Sequence, residues 1–239
     1  MKINMHSSKK DKKFFPLERL IYNYRYHPNR IAVSSNKINF TYKEFYEYAF
    51  SFSKLIKKNS KIAIIDDEKI YAYIAMFGSL MANCTYIPIT SEQPKKRISE
   101  IIRISKVKYI FSNKKLDFLK IKNKKIKTIH FRNIKISKKI RLINNKISKK
   151  IAYIIFTSGS SGNPKGVKIS QLNLDHYVRW ILNYMRLPYN KNCAQFAPLG
   201  FDLSVADTFL SICSGSTLFP VNNKYDKVFF GNFLKEKKN

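Results

Sequence analysis

Residues 151–169 read IAYIIFTSGSSGNPKGVKI, and the way this stretch divides into elements decides the fold. Ile151 to Phe156 is an unbroken apolar run of strand length, and Val167-Lys168-Ile169 reads as a second strand. Between them lies Thr157-Ser158-Gly159-Ser160-Ser161-Gly162-Asn163-Pro164-Lys165-Gly166, the densest glycine cluster in a lysine-rich chain, with a single lysine inside it. Glycines let the backbone turn so that several N–H groups converge into a nest for anionic oxygen. Thr157, Ser158, Ser160 and Ser161 add hydroxyl donors, and Lys165 adds a compact positive charge. The set suits a polyphosphate. It is not a Walker loop, because Gly166 follows the lysine where that motif needs Ser or Thr. The surroundings also read strand–turn–strand rather than strand–turn–helix. A Gly/Ser hairpin turn needs no ligand, and that plainer reading stays open; it would use two residues where this turn spends about eight.

Working outward, strands alternate with helices. Upstream, the pattern predicts a helix over 17–26, ending before Pro28, and a strand pair over 31–34 and 37–41 that turns at Ser35-Asn36. Thr41 with Glu44 three residues on has capping-box spacing, opening a helix with Phe45, Tyr48, Ala49 and Phe52 on one face. Strands follow at 61–65, 86–89 and 108–111, with helices at 68–82 and 94–105. Downstream, Ser170 suits the N-cap of a helix carrying Leu174, Tyr177, Val178, Ile181, Leu182 and Met185 on one face. Trp180 in that helix reads as core. A strand at 194–197, a helix at 204–213 capped by Ser204 with Asp207, a stop at Gly215 and a strand at 217–221 complete a further βαβ unit. This alternation predicts an α/β fold with parallel strands.

Residues 70–91 carry no charge, which raises the question of a membrane span. Asn83, Thr85 and Pro88, with Tyr86-Ile87-Pro88-Ile89 as a strand, favour a buried helix, turn and strand instead. The net charge of +31, from 46 basic against 15 acidic residues, suits nucleic acid or an anionic surface. It equally suits an AT-rich codon composition, since Lys, Ile, Asn, Tyr and Phe are abundant together and the basic residues are dispersed. Residues 1–14 form a basic N-terminal tail without a secretory signal. Residues 114–150 hold fifteen Lys or Arg and one acid, Asp117; interleaved isoleucines make this a connection inside a sheet domain rather than a nucleic-acid arm. Cys84, Cys193 and Cys213 are far apart in apolar stretches, as expected of reduced thiols in a cytoplasmic protein, and the four histidines lack metal-ligand spacing.

The stretch from Tyr153 to Gly166 resembles the phosphate-loop signature of the adenylate-forming enzymes, the AMP-binding superfamily that includes nonribosomal peptide synthetase adenylation domains, acyl-CoA synthetases and luciferases. Phe40-Thr41-Tyr42-Lys43-Glu44-Phe45, the stretch 76–97 with Tyr86-Ile87-Pro88 and Pro94, and Phe201-Asp202-Leu203-Ser204 resemble further elements of that family in the family's order. The resemblance covers residues 15–235 and implies an α/β fold, the N-terminal portion of the adenylate-forming ligase fold with mixed and parallel sheets flanked by helices. It implies that Thr157, Ser158, Gly159, Ser160, Ser161, Gly162, Lys165 and Gly166 hold the phosphates of ATP, accompanied by Mg²⁺, while a substrate carboxylate attacks the α phosphorus. It implies that Asp202 pairs with an amino-acid ammonium, although a carboxylate near a helix start also serves as an ordinary cap.

The combination looks most like D-alanine–carrier-protein ligases, with peptide-synthetase adenylation domains nearly as close, so an acyl or peptidyl carrier protein is the implied partner. Asn83 and Thr90 depart from the family's glycine and aspartate and suggest relaxed constraint; Ser161 for threonine is mild. The family's adenine-binding aromatic, ribose-binding aspartate and catalytic lysine have no counterpart before Asn239, and residues 236–239 read as a truncated end. The chain is therefore expected not to turn over alone, and a second chain completing the domain is an implied partner. A non-catalytic remnant that binds a carrier protein, and a basic nucleic-acid-binding protein, are the competing expectations.

Overall fold

The named strands of the described residues divide between two sheets. A computed structural model describes residues 13–35, 38–119, 126–158, 163–221 and 227–237, with only the backbone of Ser158. The first sheet holds β1 (Ile31–Ser35), β2 (Ile38–Thr41), β9 (Asn192–Gln195) and β10 (Thr217–Pro220), in the order β2-β1-β10-β9. The second holds β3 (Lys61–Ile65), β4 (Thr85–Ile89), β5 (Tyr109–Phe111), β6 (Lys127–Ile129), β7 (Ile151–Ser158) and β8 (Pro164–Ser170), in the order β6-β5-β3-β4-β7-β8. Neighbours are parallel except at β1/β2 and β7/β8, which are antiparallel hairpins. The expected α/β class with mixed and parallel sheets is what the chain forms.

Strand β3 shows why the second sheet is buried on both faces. Ile62 and Ile64 enter one core, and Ala63 and Ile65 the other, following the two-residue alternation of a strand. The larger core packs helices α1 (Phe15–Tyr26), α2 (Tyr42–Leu55), α3 (Lys69–Met81), α5 (Gln171–Met185) and α6 (Leu203–Ser214) between the sheets, through Phe45, Phe52, Phe77 and Phe209. The smaller core packs α4 (Lys95–Ser105) against the far face, through Ile98, Ile101 and Ile102.

Helix α3 explains the uncharged stretch. Every residue from Tyr73 to Met81 is buried, and a Cβ on Gly78 would stand 2.6 Å from the Ala49 carbonyl oxygen and 2.7 Å from Phe52. The glycine lets α2 and α3 lie against each other. Among the described residues, no helix is long and apolar enough to cross a membrane.

Local signals set the boundaries. Thr41 and Glu44 form the expected capping box, and Ser170 forms one with Asn173. Gly215 ends α6 at φ +86°, in the left-handed region. Asn83 sits at φ +54°, where asparagine is the best-tolerated residue after glycine. The backbone demand is therefore kept at this position rather than relaxed. Two boundary expectations, one at a helix and one at a strand, need correction. Asp202, not Ser204, caps α6, accepting the Leu203 N–H at 2.9 Å, while the Ser204 hydroxyl donates to the Phe201 carbonyl at 2.6 Å. Strand β9 starts at Asn192, two residues earlier than the apolar pattern suggests, because Asn192 and Cys193 pair with Thr217 and Leu218.

The described part of the lysine-rich connection is pinned to the core. The Tyr46 hydroxyl accepts from the Ile143 N–H and donates to the Arg141 carbonyl, each at 3.0 Å. Asn145 Nδ2 donates to Leu80 and Met81 carbonyls at the end of α3, and Phe131 stacks on Tyr71 at 4.0 Å. All three cysteines are unpaired, and burial pushes their thiol pKa values up, that of Cys213 to about 12.

Candidate phosphate and substrate site

The β7–β8 hairpin builds the first half of the site. Its register sets Phe156 opposite Gly166, Thr157 opposite Lys165 and Ser158 opposite Pro164, so the glycine-rich turn sits at the hairpin tip. Gly159, Ser160, Ser161 and Gly162 lie outside the described residues. Lys165 is exposed at the mouth of the turn and has no ion pair among the described residues. Thr157 is also exposed, with its hydroxyl 3.4 Å from the Lys165 carbonyl. Gly166 has a packing reason: a Cβ there would meet Ile154 Cγ2 at 2.9 Å and the Phe156 ring at 3.1 Å. Arg97, on the first turn of α4, donates from Nη2 to the Thr157 carbonyl at 3.0 Å and so anchors the hairpin where it enters the turn.

Asp202 forms the second half. It is exposed and, apart from its capping bond, has no cationic partner among the described residues, although the chain carries 46 basic residues. Tyr153 and Tyr177 lie within reach of its charge, which adds to burial in raising both phenol pKa values. The charge of Asp202 thus reaches Tyr153, on the strand that leads into the turn. Tyr153 also stacks on Tyr86 of β4, with ring centroids 5.4 Å apart.

Trp180 is not core. It is 51% exposed and stacks on Tyr184 at 5.4 Å, because it lies one residue before the buried Ile181 and therefore off the inward stripe of α5. Met185, expected on the inward face, is likewise 51% exposed.

Sequence reasoning missed the groups that tie the site together. Asp66 is buried, and its two oxygens accept the Ser91 N–H at 2.6 Å and the Leu199 N–H at 3.3 Å. Burial raises its pKa against those bonds. Thr90 Oγ1 accepts the Gly200 N–H at 3.3 Å. Both contacts hold the loop that delivers Asp202. A signal was available: Asp66-Asp67-Glu68 is the single run of three acids in a chain with 15, and it directly follows an apolar strand.

This fold, with a glycine-rich hairpin after β7, is that of the N-terminal part of an AMP-binding domain. A family model described as AMP-binding enzyme matches residues 22–237, and the chain belongs to that family. It is 28% identical over 193 residues to the D-alanine–D-alanyl carrier protein ligase of Staphylococcus haemolyticus (strain JCSC1435), covering 80% of this chain and 39% of that protein. It is 30% identical over 200 residues to bacitracin synthase 3 of Bacillus licheniformis, covering 80% of this chain and 3% of that protein. The N-terminal subdomain of Klebsiella oxytoca NpsA, solved in complex with 3-hydroxybenzoyl-AMSN, superposes with a TM-score of 0.75 at 19% identity, covering 94% of this chain and 58% of that one. The AMPPNP-bound form of the nonribosomal peptide synthetase FmoA3 superposes with a TM-score of 0.75 at 19% identity, covering 91% and 24%. The structural likenesses are likenesses of fold. The chain spans well under half the length of the two relatives matched by sequence.

Proposed function

We propose that these residues supply the phosphate-holding and ammonium-holding parts of a site that activates an amino acid with ATP and passes it to a carrier-protein thiol. The observation that carries this reading is the hairpin register. It leaves Lys165 exposed and, among the described residues, without an ion pair, opposite Thr157 at the mouth of a turn rich in N–H and hydroxyl donors. Such a donor set fits a polyphosphate and Mg²⁺ bound to it. ATP supplies an α phosphorus open to attack by a carboxylate, with pyrophosphate as leaving group. Thr157 and Lys165, with the turn between them, would bind and orient that leaving group and neutralise its charge. Asp202 would hold the amino acid's ammonium, and having no cationic partner among the described residues leaves it available.

The D-alanine–carrier ligase relative makes D-alanine the first amino acid to try. The remainder of such a domain, in whatever polypeptide carries it, belongs to this reading, since both relatives are much longer. Three unpaired cysteines suit a reducing cytoplasm. The test is binding of ATP and of pyrophosphate to the chain, with and without Lys165→Ala. Amino-acid-dependent ATP–pyrophosphate exchange is then measured for the protein together with the remainder of such a domain. Affinity that Lys165→Ala leaves unchanged, or exchange indifferent to every amino acid tried, would overturn the reading.

A further inference from the structure

The chain reverses its direction of travel across the second sheet between β3 and β4. From β3 it passes through α3 to β4 on one side; from β4 it returns through α4 to β5 on the other. The two helices leave on opposite faces, so a crevice opens outside the carboxyl ends of these strands, the usual place for a ligand in an open α/β sheet. Here the crevice is deepened by the first sheet, because β1 ends in it at Ser35 and the chain leaving β10 passes it at Val221. A cavity of about 340 Å³ fills the junction. It is lined by Asp66, Lys69, Thr90 and Lys114, among others, and by none of Thr157, Lys165 or Asp202.

Four acids surround this cavity, but each is engaged. Both Asp66 oxygens take backbone N–H groups. Asp67 takes the Ser112 hydroxyl and the N–H groups of Asn113 and Lys114. Glu68 accepts from Asn113 Nδ2 at 2.6 Å, and Glu92 faces Lys227 at 3.7 Å. Lys69 is different. It is only 8% exposed, its ammonium donates to the Val221 carbonyl at 2.9 Å, and it has no ion pair among the described residues. An ammonium has three N–H donors, and burying one is costly unless they are met. Burial accordingly lowers the Lys69 pKa, with the charge of Asp66 opposing. Thr90 accepts from Gly200, which leaves its own O–H to donate.

We propose that this cavity binds a small oxyanion, a phosphate or carboxylate group, seated on the Lys69 ammonium with the Thr90 hydroxyl beside it and Lys114 at the rim. The proposal is independent of the reading of the β7–β8 hairpin. It is tested by titrating the chain with inorganic phosphate and, separately, with acetate, following amide chemical shifts around Asp66, Lys69 and Thr90. Saturable shifts in one arm identify which anion is taken. Lys69→Gln is expected to weaken that binding by about tenfold or more, as loss of a charge-assisted donor does. Lys114→Ala, an exposed position that leaves the core untouched, should weaken it several-fold and guards against misfolding of the first variant. Lys165→Ala should leave these shifts unchanged. No saturable shift with either anion, shifts abolished by Lys165→Ala, or shifts indifferent to both Lys69→Gln and Lys114→Ala would each overturn the proposal.

Discussion

The Asp66 carboxylate accepts the Leu199 N–H at 3.3 Å, and with it one carboxyl group joins the end of β3 to the loop that leads into Asp202. Its other oxygen holds Ser91 at 2.6 Å, so a single buried side chain fixes three segments. Asn at this position would keep one acceptor and turn an N–H₂ toward one of two amide donors. Asp66→Asn should therefore cost about 1–3 kcal/mol in urea unfolding, as an unmet buried donor does. A pH series adds the sign. Burial raises the Asp66 pKa in the folded chain, so folding favours its protonated form. Its contribution is full below the unfolded carboxylate pKa and is lost as pH rises through the folded one. The stability of the wild type relative to Asp66→Asn should decline over that window, and a rise would contradict the assignment.

Arg97 should matter more to the hairpin than to the fold. Its hydrogen bond to the Thr157 carbonyl is exposed, so Arg97→Ala should cost no more than about 0.5–1.5 kcal/mol of global stability. Amide exchange at Thr157 and Lys165, which face each other in the register, should nevertheless accelerate. Unaltered exchange at both would show that the turn end of the hairpin does not depend on Arg97.

At Gly78 two effects oppose. Alanine is the better helix former by about 1 kcal/mol. Its Cβ would stand 2.6 Å from a backbone oxygen of α2, which cannot move away alone. Overpacking of this kind costs about 1–3 kcal/mol, so Gly78→Ala should lower the melting temperature. A rise would mean that α2 and α3 can separate freely.

Asn83 offers the reverse case. At φ +54° an alanine costs about 1–2 kcal/mol, whereas glycine meets the backbone demand. Asn83→Ala should be clearly less stable than Asn83→Gly in the same denaturation assay. Asn83 Oδ1 also accepts from Gln171 Nε2 at 3.2 Å, so neither variant should exceed the wild type by much.

Trp180 is the chain's one tryptophan, and it is half exposed. Its emission should be that of a solvated indole and readily quenched by acrylamide. A blue-shifted, protected emission would show that another surface covers α5.

What could be read in advance was local. Thr41–Glu44, Ser170, Gly215 and the glycine-rich turn depend on residues within a few positions of one another, and there spacing is enough. Division of the strands into two sheets was not legible, because β1 pairs with β10 from the far end of the chain. Trp180 misled for a related reason: a large aromatic one position off a buried stripe looks inward by composition alone. Asp66 and Lys69 were hidden because burial of a charge depends on what the rest of the chain lays over it. Half of the candidate site, Lys165 and Asp202, was nameable from motifs; the loop supports that hold it were not.

The pairing of Val33 with Leu218 also sets a timetable. Strand β1 has β2 for one neighbour within a few residues, but its other edge waits until Leu218 has been synthesised. Ala32 and Val33 are fully buried in the finished protein. Until β10 emerges from the ribosome, that apolar edge stands open to any passing strand. This edge is thus an aggregation hazard during synthesis, and that particular exposure should end once β10 has cleared the exit tunnel and paired with β1.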